Sequence, residues 1–91
     1  MKYAVKLTAQ FKKDYKRAKK RGLPMKLLDD VIIQLAQGES LGKKNSDHPL
    51  AGSYTGYREC HITPDWLLIY LIENDVLVLT LTRTGSHGDL F

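Results

Sequence analysis

Three histidines lie outside the apolar runs of this sequence, and histidine is the side chain best suited to proton transfer near neutral pH. His48 lies in a glycine-rich segment, His61 at the end of a predicted strand, and His87 near the C-terminus. Cleavage of RNA needs a base to remove the proton of a 2′-hydroxyl and an acid to protonate the departing 5′-oxygen. Three histidines could supply both groups, although any one of them taken singly is more often an ordinary surface residue.

Charged residues near the histidines could complete such a site. Asp65 and His61 flank a predicted turn, so a tight hairpin would bring carboxylate and imidazole to the same edge of a sheet. The carboxylate would strengthen the histidine as a base, orient its tautomer, or act as the base itself. Arg83 or Arg58 could stabilise the negative charge that develops on the phosphate. This mechanism needs no metal.

The same side chains could instead hold a metal ion, since three histidines and an aspartate form the ligand set of a catalytic zinc or non-haem iron site. Such sites usually contain a short local pair, such as H-x-H or H-x-x-x-H. The three histidines here are much farther apart than that. The spacing therefore disfavours a metal, and we expect no cofactor.

A strongly basic segment lies near the N-terminus. The chain has 14 lysines and arginines against 10 aspartates and glutamates, a net charge of +4, and half of the basic residues fall within positions 12–21. This charge would bind the phosphates of an RNA, or it would be an ordinary solvated helix face. The candidate RNA contacts are Lys12, Lys13, Lys16, Arg17, Lys19 and Lys20.

The sequence positions of two aromatic residues and of the single cysteine limit the roles that they could have. Trp66 begins an apolar strand, where core packing is the default, although an aromatic ring at a strand end can also stack on a base. Phe91 at the C-terminus would either pin the tail or offer a stacking surface. Cys60 should point away from His61, because neighbouring strand residues face opposite sides, and we expect it to be buried.

The elements that position these residues follow from the hydrophobic periodicity. The sequence predicts a strand over residues 3–7 with one buried face, a helix from Thr8 to Gly22, and a second helix from Pro24 to about Gln37. The helices are joined by a short turn that contains glycine. They should form an antiparallel hairpin on one face of a sheet.

Three further strands should follow over residues 57–62, 66–72 and 76–83, linked by short turns at 63–65 and 73–75. The continuous apolar run at 66–72 predicts a strand buried on both faces. The predicted fold is α+β in the order β-α-α-β-β-β, with an antiparallel sheet and the helical hairpin on one face.

Residues 38–56 show no sustained periodicity and contain many glycines and other turn residues, so we expect a loop. A loop this long is uncommon in a small domain unless it has a function. It includes the segment Asp47-His48-Pro49-Leu50. One of the three histidines is therefore carried by this loop.

Length and composition indicate one domain over residues 1–91 with a single core, since 43% of the residues are hydrophobic. One cysteine cannot form an internal disulfide, and the N-terminus lacks the apolar core of an export signal. The longest apolar run is too short to cross a bilayer of roughly 30 Å as a helix. We therefore expect a cytoplasmic protein with no membrane partner.

Four motifs in the second half of the chain are specific. They are D-H-P-L-A-G from Asp47, G-Y-R-E-C-H from Gly56, P-D-W-L-L-I-Y from Pro64, and R-T-G-S-H from Arg83, with the tail D-L-F at the C-terminus. These motifs resemble the RelE superfamily of bacterial toxin–antitoxin systems, and within it the YafQ-type mRNA interferases that depend on the ribosome. The first half of the chain is similar mainly in layout.

The resemblance implies a microbial-ribonuclease-like fold, cleavage of mRNA in the ribosomal A site, and neutralisation by a co-expressed antitoxin in a hetero-oligomer. It places the family's functional side chains on six positions, which are His48, His61, Asp65, His87, Arg83 and Phe91. We expect His87 to be the general acid. The other two histidines and Asp65 would share the roles of base and orienting group.

Two alternatives stay open. A RelE-like fold could bind RNA or protein without cutting, and an active enzyme could cut RNA without the ribosome. The three histidines and Asp65 at motif positions favour catalysis. The antitoxin should cover the basic and catalytic surfaces with an acidic or amphipathic segment that orders on binding.

Overall fold

The computed structural model describes residues 2–73 and 78–91 and contains five strands and three α-helices in those residues. Their bounds are β1 (Ala4–Leu7), α1 (Ala9–Lys20), α2 (Met25–Ala36), β2 (His48–Pro49), β3 (Arg58–Thr63), β4 (Trp66–Glu73), β5 (Val78–Gly85) and α3 (His87–Leu90). The predicted order of one strand, two helices and three strands is confirmed. The structure adds the two-residue strand β2 and the one-turn helix α3, while residues 74 and 75 of the predicted 73–75 turn, and 76 and 77 of the last predicted strand, lie outside the described residues.

Helix α1 begins and ends where the sequence predicts. The hydroxyl oxygen of Thr8 accepts a hydrogen bond from the backbone N–H of Phe11 at 2.9 Å, which satisfies one of the free donors of the first turn. Gly22 follows the helix with a φ of +79°, a conformation that glycine adopts without strain. Phe11 and Ala18 are buried at helical spacing, so α1 presents one apolar stripe to the sheet.

Helix α2 begins at Met25, directly after Pro24, and ends at Ala36. Pro24 therefore precedes the first helical residue, where the fixed φ of proline suits the entry to a helix. Leu28, Val31 and Leu35 form its buried stripe. The two helices pack as a hairpin on one face of the sheet, as predicted.

The strand order is β1-β5-β4-β3-β2. Strands β3, β4 and β5 form the predicted antiparallel meander. Strand β1, however, pairs in parallel with β5, so the sheet is mixed where the sequence predicted an antiparallel one. The reason is that the chain crosses the sheet through the helical hairpin before it returns, which permits a parallel neighbour.

The sheet buries apolar side chains on both faces. The helix face carries Cys60, Trp66, Leu68 and Tyr70, which pack against α1 and α2. The far face, opposite the helices, carries a smaller cluster that contains Leu67, Ile69 and Leu90 with Leu50, Tyr54 and Tyr57 around it. Residues 67–70 of β4 are at most 1% exposed, which confirms that this strand is buried on both faces.

The predicted buried face of β1 is wrong. Val5 is 38% exposed and Leu7 is 46% exposed. Both lie at the edge of the sheet, where they line a groove together with Phe11 and Tyr15 of α1. The period-two pattern set the side of the strand on which these residues lie, but the helices do not cover that side completely.

Candidate active site

His48 and His61 lie together on the far face. In the strand pairing, the Cα partner of His48 is Glu59, two residues before His61, and the ring centroids of the two histidines are 6.4 Å apart. His48 Nδ1 lies 2.6 Å from the carbonyl oxygen of Ser46, and His61 Nδ1 lies 3.3 Å from that of Pro64. A carbonyl oxygen only accepts, so each ring donates from Nδ1. The Nε2 atom of each neutral ring can then accept a proton.

Glu59 lies beside these histidines and is a further candidate residue, which the sequence alone did not single out. It is 5% exposed, and its Oε1 lies 3.7 Å from Nε2 of His61. The carboxylate of Glu59 therefore faces the imidazole of His61. The signal was available in the sequence, because residues two apart on a strand share a face and Glu59 is two residues from His61.

Asp65 lies apart from this pair. It is an exposed turn residue that lines a cavity of about 180 Å³ together with Trp66, Arg17 and Asp89. A register shift between His61 and Thr63 separates the turn from the regular part of β3. Within residues 2–73 and 78–91, the carboxylate that lies beside the ring of His61 is that of Glu59 rather than Asp65.

His87 is the first residue of α3, a helical turn with a complete capping box. The Ser86 hydroxyl accepts from the N–H of Asp89 at 3.2 Å, and the Asp89 carboxylate accepts from the N–H of Ser86 at 3.0 Å. The rings of His87 and Phe91 are 4.9 Å apart between centroids, and Phe91 also meets Tyr54 edge-on at 5.9 Å. Phe91 is nevertheless 57% exposed, so one part of its ring is free to stack.

An ion pair ties α3 to α1. Arg21 donates from Nη1 to Oδ2 of Asp89 at 2.8 Å, and this guanidinium lowers the pKa of Asp89 to about 2. Arg17 is also near Asp89, at 3.9 Å, and donates to Asp14 at 3.4 Å. Arg17, a predicted phosphate contact, is therefore partly engaged within the protein.

The three histidines lie around one end of the sheet. Leu67 of β4 is paired with His61 on one side and with Gly85 on the other. Because neighbouring strands are about 4.8 Å apart, His61 and Gly85 lie roughly 10 Å apart across the sheet. His87 follows Gly85 by two residues, and α3 packs onto the far face through Leu90.

Arg83 is held by a buried carboxylate. Its Nε and Nη2 donate to the two oxygens of Asp14 at 3.0 and 3.1 Å, and the N–H of Thr84 donates to the same carboxylate at 3.2 Å. The Arg83 side chain is 23% exposed and that of Asp14 is fully buried. Arg83 thus links α1 to β5, and part of its guanidinium faces solvent.

The loop that carries His48 is anchored through the preceding residue. Tyr70 of β4 donates from its hydroxyl to both oxygens of Asp47, each at 2.7 Å, and Arg58 donates to Asp47 at 3.1 Å. Burial, and next the Asp47 carboxylate, raise the pKa of Tyr70 above its ordinary value. Arg58 is therefore paired on the helix face, away from the histidines.

Trp66 and Cys60 belong to the core. Trp66 is 3% exposed, and its indole N–H donates to the hydroxyl of Thr84 at 2.9 Å. It presents no face on which a base could stack. Cys60 is fully buried, as expected, and burial raises the pKa of its thiol to about 12, which makes it a poor nucleophile.

The predicted RNA-binding lysines form an exposed surface on α1, which we call the basic face. Its members are Lys12, Lys13, Lys16, Lys19 and Lys20. The C-terminal end of α1 is joined to α3 by the Arg21–Asp89 ion pair. The basic face therefore ends close to the helix that carries His87. A bound RNA could contact both.

Within the described part of the chain, no group of three or more histidine, cysteine, aspartate or glutamate side chains could hold a metal ion.

No helix of the described residues is long and apolar enough to span a membrane.

Solved structures of similar chains show to which class of protein this fold belongs. A metal-bound toxin from Helicobacter pylori is 42% identical, with a TM-score of 0.92 over 98% of this chain and 99% of that chain. The Escherichia coli DinJ–YafQ complex contains a chain that is 38% identical, with a TM-score of 0.90 over 98% of both chains. The fold is that of a bacterial toxin.

The family follows from the sequence comparisons. The family described as "Bacterial toxin of type II toxin-antitoxin system, YafQ" matches residues 3–91. The mRNA interferase toxin YafQ of Escherichia coli K12 is 39% identical over 88 residues, which cover 96% of this chain and 94% of that relative. The chain belongs to the YafQ family of type II toxins, and the resemblance carried by the four motifs is confirmed.

Proposed function

We propose that this toxin is a ribosome-dependent endoribonuclease that cleaves mRNA, inhibits translation, and is neutralised in the cytoplasm by its cognate antitoxin. The names of the relatives support the mRNA interferase activity and the antitoxin partner. The observation that carries the mechanism is the group of His48, Glu59 and His61 at the end of the sheet where α3 presents His87.

In the proposed mechanism the His48–His61 pair provides the base. Each neutral ring has an unprotonated Nε2 that can take the proton of the 2′-hydroxyl, and Glu59 stabilises the positive charge that the pair gains. The 2′-oxygen attacks phosphorus, and the bond from phosphorus to the 5′-oxygen breaks. His87 gives its proton to that departing oxygen.

Other residues of the site orient the substrate. Phe91 stacks on a base next to His87, and the exposed part of Arg83 contacts the phosphate. From the cavity that it lines, the carboxylate of Asp65 helps to orient the substrate. The lysines of the basic face hold RNA phosphates.

The test compares naked mRNA with the same mRNA on programmed ribosomes, using purified toxin and mapping of the cut ends. We expect cleavage on the ribosome that is much faster than on naked RNA, and unchanged when a chelator selective for transition metals is added while Mg²⁺ is kept for the ribosome. Similar rates on both substrates would identify a ribosome-independent enzyme. Cleavage of neither would identify a binding module, and loss of activity with the chelator would restore the metal mechanism.

Reversing charges on the basic face should weaken ribosome binding. In the variant Lys13→Glu/Lys19→Glu/Lys20→Glu we expect the dependence of log affinity on log salt to fall by roughly 0.7 to 0.9 for each phosphate that the toxin no longer neutralises. Binding is measured by sedimentation with ribosomes at several salt concentrations. Lys43→Glu/Lys44→Glu, which changes two exposed lysines far from α1 in the sequence, is the control and should bind like wild type. Equal losses of affinity in both variants would contradict a specific role of the basic face.

A further inference from the structure

The imidazole of His48 is exposed, so its position depends mainly on the backbone that carries it. Strand β2 contains two residues, His48 and Pro49, and its pairing with β3 is correspondingly short. A hydrogen bond fixes the ring itself, because Nδ1 donates to the carbonyl oxygen of Ser46 at 2.6 Å. The direction of that carbonyl therefore selects which nitrogen of His48 carries the proton.

The backbone at Ser46 has a conformation that must be held in place. Its φ of +46° lies in the left-handed region, which residues other than glycine rarely adopt and keep only where the surrounding structure holds them. Asn45 and Asp47 are bound on either side of it. The buried Asn45 donates from Nδ2 to the carbonyl oxygen of His61 at 2.7 Å. The residue that follows Ser46 is bound on the other face of the sheet.

The carboxylate of Asp47 lies on the helix face, whereas His48 lies on the far face, because neighbouring residues of an extended segment point to opposite sides. Both oxygens of Asp47 are 2.7 Å from the hydroxyl of Tyr70, and Nε of Arg58 donates to one of them at 3.1 Å. Tyr70 is buried in the core, whereas the Arg58 side chain is partly exposed. The buried hydroxyl is therefore the more rigid of the two donors.

We propose that Tyr70 and Asp47 are positioning residues for His48. The hydrogen bond between them fixes the backbone at Ser46, whose carbonyl holds the imidazole as the Nδ1–H tautomer. The unprotonated Nε2 atom is then available on the face that carries His61. Without the Tyr70 hydroxyl the segment loses its buried donor, and the ring exchanges between its two tautomers. The use of this tautomer as a base in RNA cleavage rests on the proposed function, but the positioning does not.

Nuclear magnetic resonance of the full-length toxin tests the positioning without a cleavage assay. Proton–nitrogen correlations of the side chains, at a pH where the imidazoles are neutral, show which ring nitrogen is protonated. We expect the Nδ1–H tautomer of His48 in wild type and a mixture of both tautomers in Tyr70→Phe. Tyr15→Phe is the matched control, because it removes a hydroxyl that donates to the carboxylate of Asp29 at 3.0 Å, and it should leave His48 as in wild type. An unchanged His48 tautomer in Tyr70→Phe, or the same change in both variants, would overturn the proposal.

Kinetics on programmed ribosomes test the link to cleavage. Tyr70→Phe should lower kcat about 10- to 100-fold with little change in KM, because a misplaced base slows proton transfer but not binding. Since Tyr70 acts through His48, the variant Tyr70→Phe/His48→Ala should be no slower than His48→Ala alone. Losses that multiply in the double variant would overturn the positioning role. If wild type does not cleave mRNA while the tautomer of His48 responds as expected, the proposed function fails and the positioning stands.

If Tyr70→Phe does not fold, Asp47→Asn takes its place. The amide keeps the size of the carboxylate and one acceptor oxygen, but it turns a donor toward Tyr70 or Arg58, which are themselves donors. Thermal unfolding checks that this variant folds. We expect the same mixture of His48 tautomers, and an unchanged tautomer would overturn the proposal.

Discussion

His87→Ala should lower the rate of mRNA cleavage by about 10²- to 10⁴-fold, the loss expected when a general acid is removed. The fold should survive, because His87 is exposed and its ring packs against Phe91, itself largely exposed. The rate is measured in single turnovers on programmed ribosomes, and folding is checked by thermal unfolding. Induction of the wild-type chain should arrest growth, and the variant should relieve the arrest.

Phe91→Ala is the matched control for that prediction. It removes the ring beside His87 but leaves the imidazole and its proton in place. We therefore expect this variant to raise KM more than it lowers kcat, since stacking positions the substrate without transferring a proton. Equal toxicity of His87→Ala and wild type would refute the catalytic assignment of His87.

Asp14→Ala should destabilise the protein by about 3–5 kcal/mol, the cost of breaking a buried ion pair by removing one partner. The change leaves the guanidinium of Arg83 without its carboxylate and the N–H of Thr84 without its acceptor. The total stability of a small domain is about 5–15 kcal/mol, so this loss is a large fraction of it. Urea unfolding measures the change in the free energy of unfolding.

Asp30→Ala is the control for this second prediction. It removes the exposed Lys26–Asp30 pair on α2, which should contribute little because both side chains are solvated. Asp14→Asn should fall between the two, since its amide oxygen can still accept one of the hydrogen bonds. A free energy of unfolding for Asp14→Ala close to that of Asp30→Ala would show that the buried pair does not hold α1 to β5.

The Asp14–Arg83 pair also makes the free energy of unfolding depend on pH in the acidic range. Burial by itself raises the pKa of Asp14, but hydrogen bonds from Arg83, Gln10 and the N–H of Thr84 outweigh it, so the pKa lies below its ordinary value of 3.8. A carboxyl group with a lowered pKa in the folded state contributes stability above its unfolded pKa and loses it as pH falls. Asp89, with a pKa of about 2, acts in the same direction. The urea concentration at the midpoint of unfolding of wild type should therefore decrease as the pH is lowered below about 4. The decrease should be smaller in Asp14→Asn.

Local pattern was enough to predict most of the elements and to point to candidate site residues. Helix α1 follows from the capping residue Thr8 and the spacing of its apolar residues, and β4 from a continuous apolar run. These signals work because hydrogen bonds within a helix turn and the alternation of a strand involve residues close in sequence. The histidines are candidates for the same reason: the chemistry they could perform belongs to the residue type and to motifs a few residues long.

The contacts that those residues make could be seen only in the folded structure. Asp14 and Arg83 are far apart in the sequence, and Glu59 became a partner of His48 only when β2 paired with β3. Alternation predicts that Val5 and Leu7 share a side of β1, but whether that side is covered depends on where the helices lie across the sheet. Contacts between distant segments are set by the packing of whole elements, which no local period records. That packing decided which carboxylate lies beside the imidazoles and which apolar side chains of β1 stay exposed.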